Sequence, residues 1–313
     1  MTKPEILLVE PLPPAIEARL DAAYAVHRLY DPAGRDEALA ARPRIRGVVT
    51  GGGSGLASDW IEAMPALGVV AINGVGTDRV DLSLARARGV DVTTTPGTLT
   101  EDVADMGMAL ILAVLRRIVE GDGFVRAGRW AAGGKLPLGS SLRGRRLGVL
   151  GLGQIGQALA DRAAAFGMEV RYWSRGPVPG VDLLRLPDPV ALAADSDVLA
   201  VCVAANAETR GLVNAEMLAA LGPAGVLVNV ARGSVVDEPA LIAALSSGGL
   251  AAAGLDVFES EPAIRAAFLT LPNVVLAPHQ GSATVETRLA MGEAVLANLA
   301  AHFAGARPPA LVN

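Results

Sequence analysis

Three residues of different chemical types, Arg232, Glu261 and His279, each follow a separate apolar run in the second half of the chain. An arginine can bind a carboxylate through two parallel hydrogen bonds and polarise a neighbouring carbonyl group. A histidine changes its charge near neutral pH, and a carboxylate that bonds its ring fixes the tautomer. Taken singly, each has an ordinary explanation, as a surface arginine, a turn acid or a structural histidine. Together they have the chemistry needed to bind an acid and to transfer a proton.

A glycine-rich segment, VLGLGQIG, places Gly151, Gly153 and Gly156 in the spacing G-x-G-x-x-G. In dinucleotide-binding folds the first glycine allows a tight turn, the second lets the backbone approach a pyrophosphate, and the third lets a helix pack on a strand. The segment follows the apolar run LGVL and precedes the helical pattern QIGQALADRAAAFG and a second strand, MEVRYW. This strand–helix–strand context predicts a dinucleotide site.

The end of that second strand carries no acid, although an Asp or Glu there would bind the ribose 2′-hydroxyl of NAD. Ser174 and Arg175 stand there instead. A guanidinium can pair with a 2′-phosphate and a serine hydroxyl can hydrogen-bond it, whereas a carboxylate would repel it. We therefore predict a preference for NADP(H). NAD(H) is the alternative cofactor if Arg175 is only a solvated loop residue.

Short β-branched runs alternate with longer Ala- and Leu-rich helical patterns along the chain. The first series is EILLVE, AVHRL, RGVVT, GVVAI and VDVTT, and the second is RRLGVLG, MEVRYW, DVLAVCV, GVLVNV, LAAAGLDV and NVVLAP. Such alternation predicts parallel sheets with helices on both faces. The predicted fold class is therefore α/β with two doubly wound parallel-sheet domains. Because ligands bind at the carboxyl ends of such strands, the turns with Arg232, Glu261 and His279 can converge on one crevice.

The two series are joined by TEDVADMGMALILAVLRRIVEG, with Thr100 as an N-cap, acids in the first turn, arginines in the last turn and Gly121 beyond it. These signals predict one long helix. The aperiodic, glycine-rich segment 128–144 predicts an ordered arm. We expect a final helix over 282–304 to return to the first domain. The predicted domains are residues 1–98 plus 283–313 and residues 99–282.

Composition and charge argue against several other classes. The formal net charge is −5 and no basic run is longer than RGRR, which gives no footprint for nucleic acid. No apolar stretch approaches the ~20 residues of a membrane span, and MTKPEILLVE has no signal-peptide pattern. We therefore expect a cytoplasmic protein with neither nucleic acid nor a membrane as partner. The single cysteine, Cys202, lies in an apolar run, so we predict a buried side chain and no metal site.

The motifs GLGQIG, NVARGSVVDE, GLDVFESEP and PHQGSATVET, with INGVGTDRVDL and DVTTTPGTLTEDVAD upstream, resemble the D-isomer specific 2-hydroxyacid dehydrogenase family in order and spacing. The resemblance covers essentially the whole chain. Within the family it is greatest to NADPH-dependent glyoxylate/hydroxypyruvate reductases and hydroxyphenylpyruvate reductases. It implies a Rossmann dinucleotide-binding domain, a flavodoxin-like substrate (lid) domain, and an active site in the cleft between them.

The resemblance also implies roles for individual residues. Arg232 would bind the carboxylate and carbonyl oxygen of a 2-oxo acid, His279 would give the carbonyl its proton, and Glu261 would support His279. The residues implied in cofactor binding are Thr100, Gly151, Gly153, Gln154, Ile155, Gly156, Ser174, Arg175, Thr209, Val230, Ala231, Asp256 and Gly281. Those implied in substrate binding, besides Arg232 and His279, are Thr50, Gly51, Gly52, Gly74, Val75, Gly76 and Ser282.

Two segments bear on assembly and cofactor contacts. In related reductases an arm like that at 121–144 reaches a partner subunit, which implies a homodimer, and Trp130 lies in it as an interface anchor or part of the partner's substrate site. Where family members commonly have P-L-T-P, this chain has AANA at 204–207. We expect this loop to be less rigid, which leaves cofactor contacts from Asn206 and Thr209 open.

The sequence therefore predicts an NADPH-preferring reductase that converts small 2-oxo acids to D-2-hydroxy acids. Glyoxylate and hydroxypyruvate are the expected substrates, with phenylpyruvates as further candidates, since Gly52, Gly53 and Gly55 suggest a roomy pocket. One alternative is an NADH-dependent dehydrogenase of another acid, such as lactate or phosphoglycerate. The other is a non-catalytic dinucleotide sensor that binds other proteins.

Overall fold

The computed structural model describes residues 2–313, which form two compact units. Unit 1 consists of residues 2–99 and 283–313, and unit 2 consists of residues 100–282. Each unit is built on one sheet whose strands are all parallel. The α/β class expected from alternating strand and helix patterns is therefore confirmed.

The strands and helices of residues 2–313 alternate along the chain. The strands are β1 (Glu5–Leu8), β2 (Ala25–Arg28), β3 (Gly47–Gly51), β4 (Val69–Asn73), β5 (Asp91–Thr93), β6 (Arg146–Leu150), β7 (Glu169–Trp173), β8 (Leu184–Arg185), β9 (Val198–Val201), β10 (Val226–Asn229), β11 (Ala252–Leu255) and β12 (Val274–Leu276). The α-helices are α1 (Pro14–Ala23), α2 (Arg35–Ala41), α3 (Ser58–Ala63), α4 (Leu82–Ala87), α5 (Thr100–Leu115), α6 (Ile118–Arg126), α7 (Gln154–Ala165), α8 (Pro189–Ala194), α9 (Ala215–Leu221), α10 (Glu238–Ser247) and α11 (Val285–Phe303). Short 3-10 helices cover Arg42–Arg44, Gly233–Val235 and Ala266–Leu269.

The sheet of unit 1 has the order β2-β1-β3-β4-β5, which is the flavodoxin-like order. Side chains alternate between the two faces of a strand, and helices cover both faces here. On one face Leu7 and Val48 pack with α2, α3 and α4. On the other, Ile6 and Val49 pack with α1 and α11. The chain therefore needs its C-terminal helix to complete the core of its N-terminal unit.

The sheet of unit 2 has the order β12-β11-β10-β9-β6-β7-β8. The chain begins in the middle with β6, runs outward through β7 to β8, and returns to β9 on the other side of β6. Rossmann folds bind their ligands where the strand order reverses in this way, outside the carboxyl ends of the strands. The edge strand β8 was not anticipated from the sequence because two residues are too few to show a pattern.

Small residues let the helices of unit 2 pack closely on the sheet. A Cβ atom added to Gly254 in β11 would lie 3.0 Å from Cβ of Leu110 in α5, and one added to Gly107 in α5 would lie 3.1 Å from a methyl group of Leu159 in α7. The opposite face of the sheet packs with α8, α9 and α10 in one hydrophobic cluster. The carboxyl ends of the strands are thus fixed by cores on both faces.

The single long helix predicted from Thr100 to the residue before Gly121 is wrong, because the structure divides it. Thr100 is the first helical residue rather than the N-cap, and α5 ends at Leu115. Arg117 adopts the left-handed conformation, with φ +53°, and begins α6 as its N-cap residue. The backbone N–H of Ser140, from the arm, donates to the carbonyl of Leu115 at 2.7 Å. A distant segment therefore caps the end of α5, which a local start-and-stop pattern cannot reveal.

Residues 2–313 contain no helix that is long and apolar enough to span a membrane. The same residues contain no group of three His, Cys, Asp or Glu side chains that could hold a metal ion. Cys202, predicted to be buried, is only partly buried, and its removal from solvent raises the pKa of the thiol to about 12. The thiol is therefore protonated at neutral pH and is a poor nucleophile.

Candidate active site

The predicted catalytic residues lie in turns that follow three neighbouring strands of unit 2, in the order β10, β11 and β12. Arg232 lies just beyond the end of β10, where Asn229 organises the turn. The Asn229 amide donates to the carbonyl of Arg232 at 3.0 Å and accepts from the N–H of Ala231 at 3.0 Å. The Arg232 guanidinium donates back to the carbonyl of Ala231 at 2.8 Å. Asn229 thus fixes the backbone of the turn that carries Arg232.

The turn after Arg232 is pressed against the segment that follows β11. A Cβ atom on Gly233 would lie 1.8 Å from the carbonyl carbon of Phe258, so only glycine fits there. The buried carboxylate of Glu238 fixes the same segment, because it accepts from the N–H of Glu259 at 2.7 Å and from Arg265 at 2.9 Å. These contacts hold the segment containing Glu261 beside the arginine turn.

His279 and Glu261 are brought together across two different turns. The ring Nδ1 of His279 lies 2.7 Å from Oε2 of Glu261. His279 has φ +55°, a left-handed conformation that residues with side chains rarely adopt and that is concentrated at functional sites. Because Glu261 occupies Nδ1, Nε2 is the ring nitrogen that can act on a ligand. About a third of the histidine side chain is exposed, 34%, which leaves it accessible.

Glu261 is held in its ionised form. Burial alone would raise its pKa, but the hydrogen bonds from His279 and from the N–H of Phe258, together with the positive charges of His279 and Arg232, outweigh burial. The net effect lowers the pKa of Glu261 below its ordinary value. The carboxylate is therefore negatively charged throughout the neutral range and orients the histidine as a hydrogen-bond acceptor.

Asp256 anchors the turn that carries His279. Its side chain is almost completely buried, and its two oxygens accept from the N–H of Gln280 at 2.7 Å and of Gly281 at 2.8 Å. Its own carbonyl accepts from the N–H of His279 at 2.8 Å. Burial raises the pKa of Asp256, and the two N–H donors oppose that shift. The sequence assigned Asp256 to cofactor binding, and the structure gives it this positioning role as well.

The glycine-rich turn has the geometry that a dinucleotide requires. Gly151 has φ +97°, and a Cβ on Gly156 would lie 2.2 Å from the carbonyl oxygen of Gly151, so strand β6 and helix α7 approach as closely as the motif predicts. Gly153 is the N-cap of α7, has no side-chain cap and faces open space where a Cβ would meet no atom within 4 Å. Free N–H groups at such a helix end favour an anion.

The two residues predicted to select the cofactor follow β7 directly. The Ser174 hydroxyl donates to the carbonyl of Gly176 at 2.5 Å. The exposed guanidinium of Arg175 lies 3.7 Å from the carboxylate of Glu208. Arg185, on the edge strand β8, donates to the carbonyl of Ser174 at 2.8 Å and supports this turn. Arg175 thus follows the end of β7, the strand that pairs with β6 beside the glycine-rich turn, and no acid stands at this strand end.

Side-chain hydrogen bonds lie within the loop at 204–209, which lacks the prolines common in the family. The Thr209 hydroxyl donates to the carbonyl of Ala204 at 2.8 Å and accepts from the N–H of Asn206 at 2.9 Å. The Asn206 side chain accepts from the N–H of Glu208 at 2.8 Å. Asn206 and Thr209 therefore bond within the loop itself, and its lower rigidity relative to family members stays a prediction.

The other cofactor residues predicted in unit 2 lie around the same strand ends. Thr100, at the start of α5, donates from its hydroxyl to the side-chain oxygen of Gln154 at 3.4 Å. Val230 is buried between β10 and Arg232. The remaining members of the predicted set occupy the first turn of α7, the β10 turn and the His279 turn, and they are Ile155, Ala231 and Gly281. Ser282 follows Gly281 and precedes α11.

The substrate residues predicted in unit 1 lie at the carboxyl ends of β3 and β4. Thr50 is fully buried, and its hydroxyl donates to the carbonyl of Gly55 at 2.6 Å. A Cβ on Gly74 would lie 3.3 Å from the backbone nitrogen of Gly52, so the two glycine loops touch. The other predicted members of these loops are Gly51, Val75 and Gly76. Gly55 gives no extra room, because a Cβ there would meet Arg79 at 2.2 Å.

Sequence reasoning missed several residues that position the site. Asn229 and Glu238 stand at the two ends of the motif NVARGSVVDE, but neither was assigned a role beside Arg232, Glu261 and His279. A polar residue that ends an otherwise apolar strand, such as Asn229 after VLV, is the signal that could have revealed the first. Glu238 had no such signal because its partners are distant in sequence.

Comparison with known proteins identifies the family. Residues 108–281 match the model of the D-isomer specific 2-hydroxyacid dehydrogenase, NAD binding domain. The chain is 48% identical over 302 residues to 2-ketogluconate reductase from Gluconobacter oxydans, with 96% of each chain covered. It is 44% identical over 301 residues to hydroxyphenylpyruvate reductase from Plectranthus scutellarioides, again with 96% of each covered. The chain belongs to the D-isomer specific 2-hydroxyacid dehydrogenase family.

A solved structure of another family member supports the same assignment. NADPH-dependent glyoxylate/hydroxypyruvate reductase from Sinorhizobium meliloti, in complex with NADP and malonate, is 43% identical. The match covers 99% of this chain and 97% of that chain, with a TM-score of 0.93. The family resemblance and the Rossmann-type α/β fold predicted from the sequence are confirmed. As a family member the protein is an NAD(P)-binding oxidoreductase that reduces 2-oxo acids.

The lowered pKa of Glu261 gives a prediction about stability. A carboxyl whose pKa is lower in the folded than in the unfolded protein stabilises the fold above its unfolded pKa, near ~4.3. This contribution is lost as the pH falls through the folded pKa. Glu261→Gln should therefore lower the free energy of unfolding at pH 7, and the difference from wild type should shrink in acid. Urea denaturation at pH 7 and at about pH 3.5 measures both values.

The exposed Glu216→Gln variant in α9 is the matched control for removal of a carboxylate from unit 2. A difference between wild type and Glu261→Gln that grows on acidification would contradict the stated cause of the pKa shift.

Proposed function

We propose that the protein reduces small 2-oxo acids to D-2-hydroxy acids with NADPH as the preferred reductant. The observation that carries the proposal is the pairing of His279 with Glu261 at 2.7 Å, in a turn anchored by Asp256 and next to the Arg232 turn. The expected substrates are glyoxylate and hydroxypyruvate, with phenylpyruvates as further candidates. The relatives named as 2-ketogluconate reductase, hydroxyphenylpyruvate reductase and glyoxylate/hydroxypyruvate reductase support this class.

The residues of unit 2 fit a nicotinamide dinucleotide. Gly151 allows the tight turn after β6, Gly153 leaves room for a pyrophosphate at the start of α7, and the uncapped helix end supplies N–H donors. Thr100, Gln154 and the turns at Ala231 and Gly281 complete the proposed binding surface. When bound, the nicotinamide supplies the hydride that reduces the carbonyl carbon.

The protein residues would bind the acid and move one proton. Arg232 holds the substrate carboxylate and polarises the carbonyl oxygen, which stabilises the negative charge that develops there. His279 donates a proton from Nε2 to that oxygen, so a hydride and a proton together convert C=O to CH–OH. Glu261 fixes the tautomer of His279 and stabilises its charged form. In unit 1 we assign the substrate's carboxylate to the N–H groups of the loops at 50–52 and 74–76, since glycine-rich turns form such anion sites.

Replacing His279 tests whether the protein is a catalyst. His279→Ala should lower kcat with hydroxypyruvate by ~10²- to 10⁴-fold, the usual contribution of a general acid, while NADPH still binds. Rates are followed by nicotinamide absorbance and cofactor binding by NADPH fluorescence. The neighbouring exposed residue Gln280 provides a control, since Gln280→Ala keeps the backbone N–H that bonds Asp256. Equal, measurable rates in wild type and His279→Ala would contradict the role of His279. Cofactor binding without turnover in either protein would favour the non-catalytic dinucleotide sensor.

Replacing Arg175 tests the cofactor preference. If its guanidinium binds the 2′-phosphate, Arg175→Ala should lower the ratio of kcat/KM for NADPH to that for NADH by about ten- to a hundredfold, as for loss of a charged hydrogen bond. Steady-state rates with each cofactor give the ratio. Arg86→Ala, at an exposed site in α4, controls for loss of one positive charge. An unchanged ratio would contradict the role of Arg175, and a wild-type ratio that favours NADH would support the NADH-dependent alternative.

The arm gives a proposal about assembly. Several large apolar side chains between α6 and the end of the arm are more than half exposed, and they are Ile118, Val119, Val125, Trp130 and Leu138. Leu138 is 95% exposed, which is costly for a side chain that stays in water. We propose that this surface packs against a second copy of the chain and forms a homodimer.

Light scattering after size exclusion measures the mass in solution. We expect twice the chain mass for wild type and a shift toward the monomer for Leu138→Asp. Leu269→Asp, at another exposed leucine of unit 2, should not change the mass. A monomeric wild type would contradict the proposed dimer.

A further inference from the structure

A carboxylate lies beside the first substrate loop of unit 1, and neither the sequence motifs nor the proposed mechanism uses it. Glu10 follows β1, whose neighbour in the sheet is β3. The loop after β3 contacts this carboxylate, and the Ser54 hydroxyl donates to Oε2 of Glu10 at 2.5 Å. Glu10 therefore belongs to the same edge of the sheet as Thr50, Gly51 and Gly52.

The loop is shaped around the Glu10 carboxylate. A Cβ atom on Gly51 would lie 2.0 Å from Oε1 of Glu10 and 2.5 Å from Oε2, so the acid fills the space beside this glycine. Two further contacts hold the loop closed, from the N–H of Gly55 to the carbonyl of Gly51 at 2.9 Å and from the Thr50 hydroxyl to the carbonyl of Gly55 at 2.6 Å. The carboxylate is thus held at a defined place.

Glu10 lacks the partner that would give it a purely structural role. Within residues 2–313 it forms no ion pair with a Lys, Arg or His side chain, unlike Glu5 and Glu17 of the same unit. Its side chain is only partly buried, so one oxygen can still accept hydrogen bonds. The negative charge of Glu10 therefore lies beside a loop that we assign to an anionic substrate. Because like charges repel, this placement requires a chemical explanation.

We propose that Glu10 is a specificity-determining residue that selects 2-oxo acids with hydroxyl groups on the carbon chain and no second negative charge. This inference rests on the proposed function, because it assumes that the loop at 50–52 binds substrate. A carboxylate accepts strong hydrogen bonds from substrate hydroxyls. It also repels a second carboxylate or a phosphate on the substrate, since like charges at close range are unfavourable. An apolar substrate chain would offer Glu10 no hydrogen-bond donor of its own.

A pair of substrates that differ by one hydroxyl group provides the test. We would measure kcat/KM for hydroxypyruvate and for pyruvate, with 2-keto-D-gluconate as a longer hydroxylated acid and oxaloacetate as a dicarboxylate. In Glu10→Ala the ratio of hydroxypyruvate to pyruvate should fall about tenfold, as for loss of a charged hydrogen bond. The ratio of kcat/KM for 2-keto-D-gluconate to that for pyruvate should fall at least as far. In Glu10→Gln the ratio of oxaloacetate to pyruvate should rise.

The controls separate this role from others. Glu62→Ala removes an exposed carboxylate of the same unit and should leave all the ratios at wild-type values. Thermal melting checks the fold of both Glu10 variants, and Glu10→Gln preserves the size of the side chain if Glu10→Ala is unstable. Ratios in Glu10→Ala and Glu10→Gln that stay within twofold of wild type would overturn the proposal, as would equal loss with every acid.

Glyoxylate distinguishes this proposal from the proposed function itself. Glyoxylate has no carbon chain beyond the carbonyl, so Glu10 has nothing to select. Turnover of glyoxylate by wild type with unchanged selectivity in the Glu10 variants would refute the role of Glu10 and keep the reductase. No turnover of any 2-oxo acid by wild type would refute both.

Discussion

The buried carboxylate of Asp256 is the group on which the geometry of the catalytic turn depends. An unpaired carboxylate in the interior is strongly destabilising, and here each oxygen accepts a backbone N–H, from Gln280 and Gly281. The N–H of His279 donates to the carbonyl of the same aspartate. Three consecutive residues are therefore tied to the end of one strand. This explains how His279 keeps a left-handed conformation that an unsupported turn would abandon.

The remaining parts of the site follow from close contacts between neighbouring strand ends. Gly233 lets the arginine turn touch the backbone of Phe258, and Glu238 holds the next residue of that segment. The positive charges of Arg232 and His279 then act on Glu261 and help to keep it ionised despite its burial. The chemistry of the site thus arises from packing of glycine and buried acids as much as from the reactive side chains themselves.

The sequence predicted the family, the parallel sheets and the close strand–helix approach at Gly156, because these depend on local apolar runs and local spacing. It did not predict the break at Arg117, which depends on a hydrogen bond from Ser140 in the distant arm. It also did not predict the hydrogen bonds of Asn206 and Thr209 within their loop, because these depend on side-chain conformations that sequence spacing does not give. The role of Glu10 was not predicted either, because its contact with the β3 loop, like the bond from Ser140, joins residues that are far apart in the chain.

The central claim is that Arg232, Glu261 and His279 make one site for reduction of a 2-oxo acid. The most direct test is to mix purified protein with NADPH and hydroxypyruvate, follow the nicotinamide absorbance, and identify the enantiomer of the product by chiral chromatography. We expect continuous oxidation of NADPH with an equal amount of D-glycerate formed. Bound NADPH that is not oxidised by hydroxypyruvate, glyoxylate or any other 2-oxo acid would contradict it.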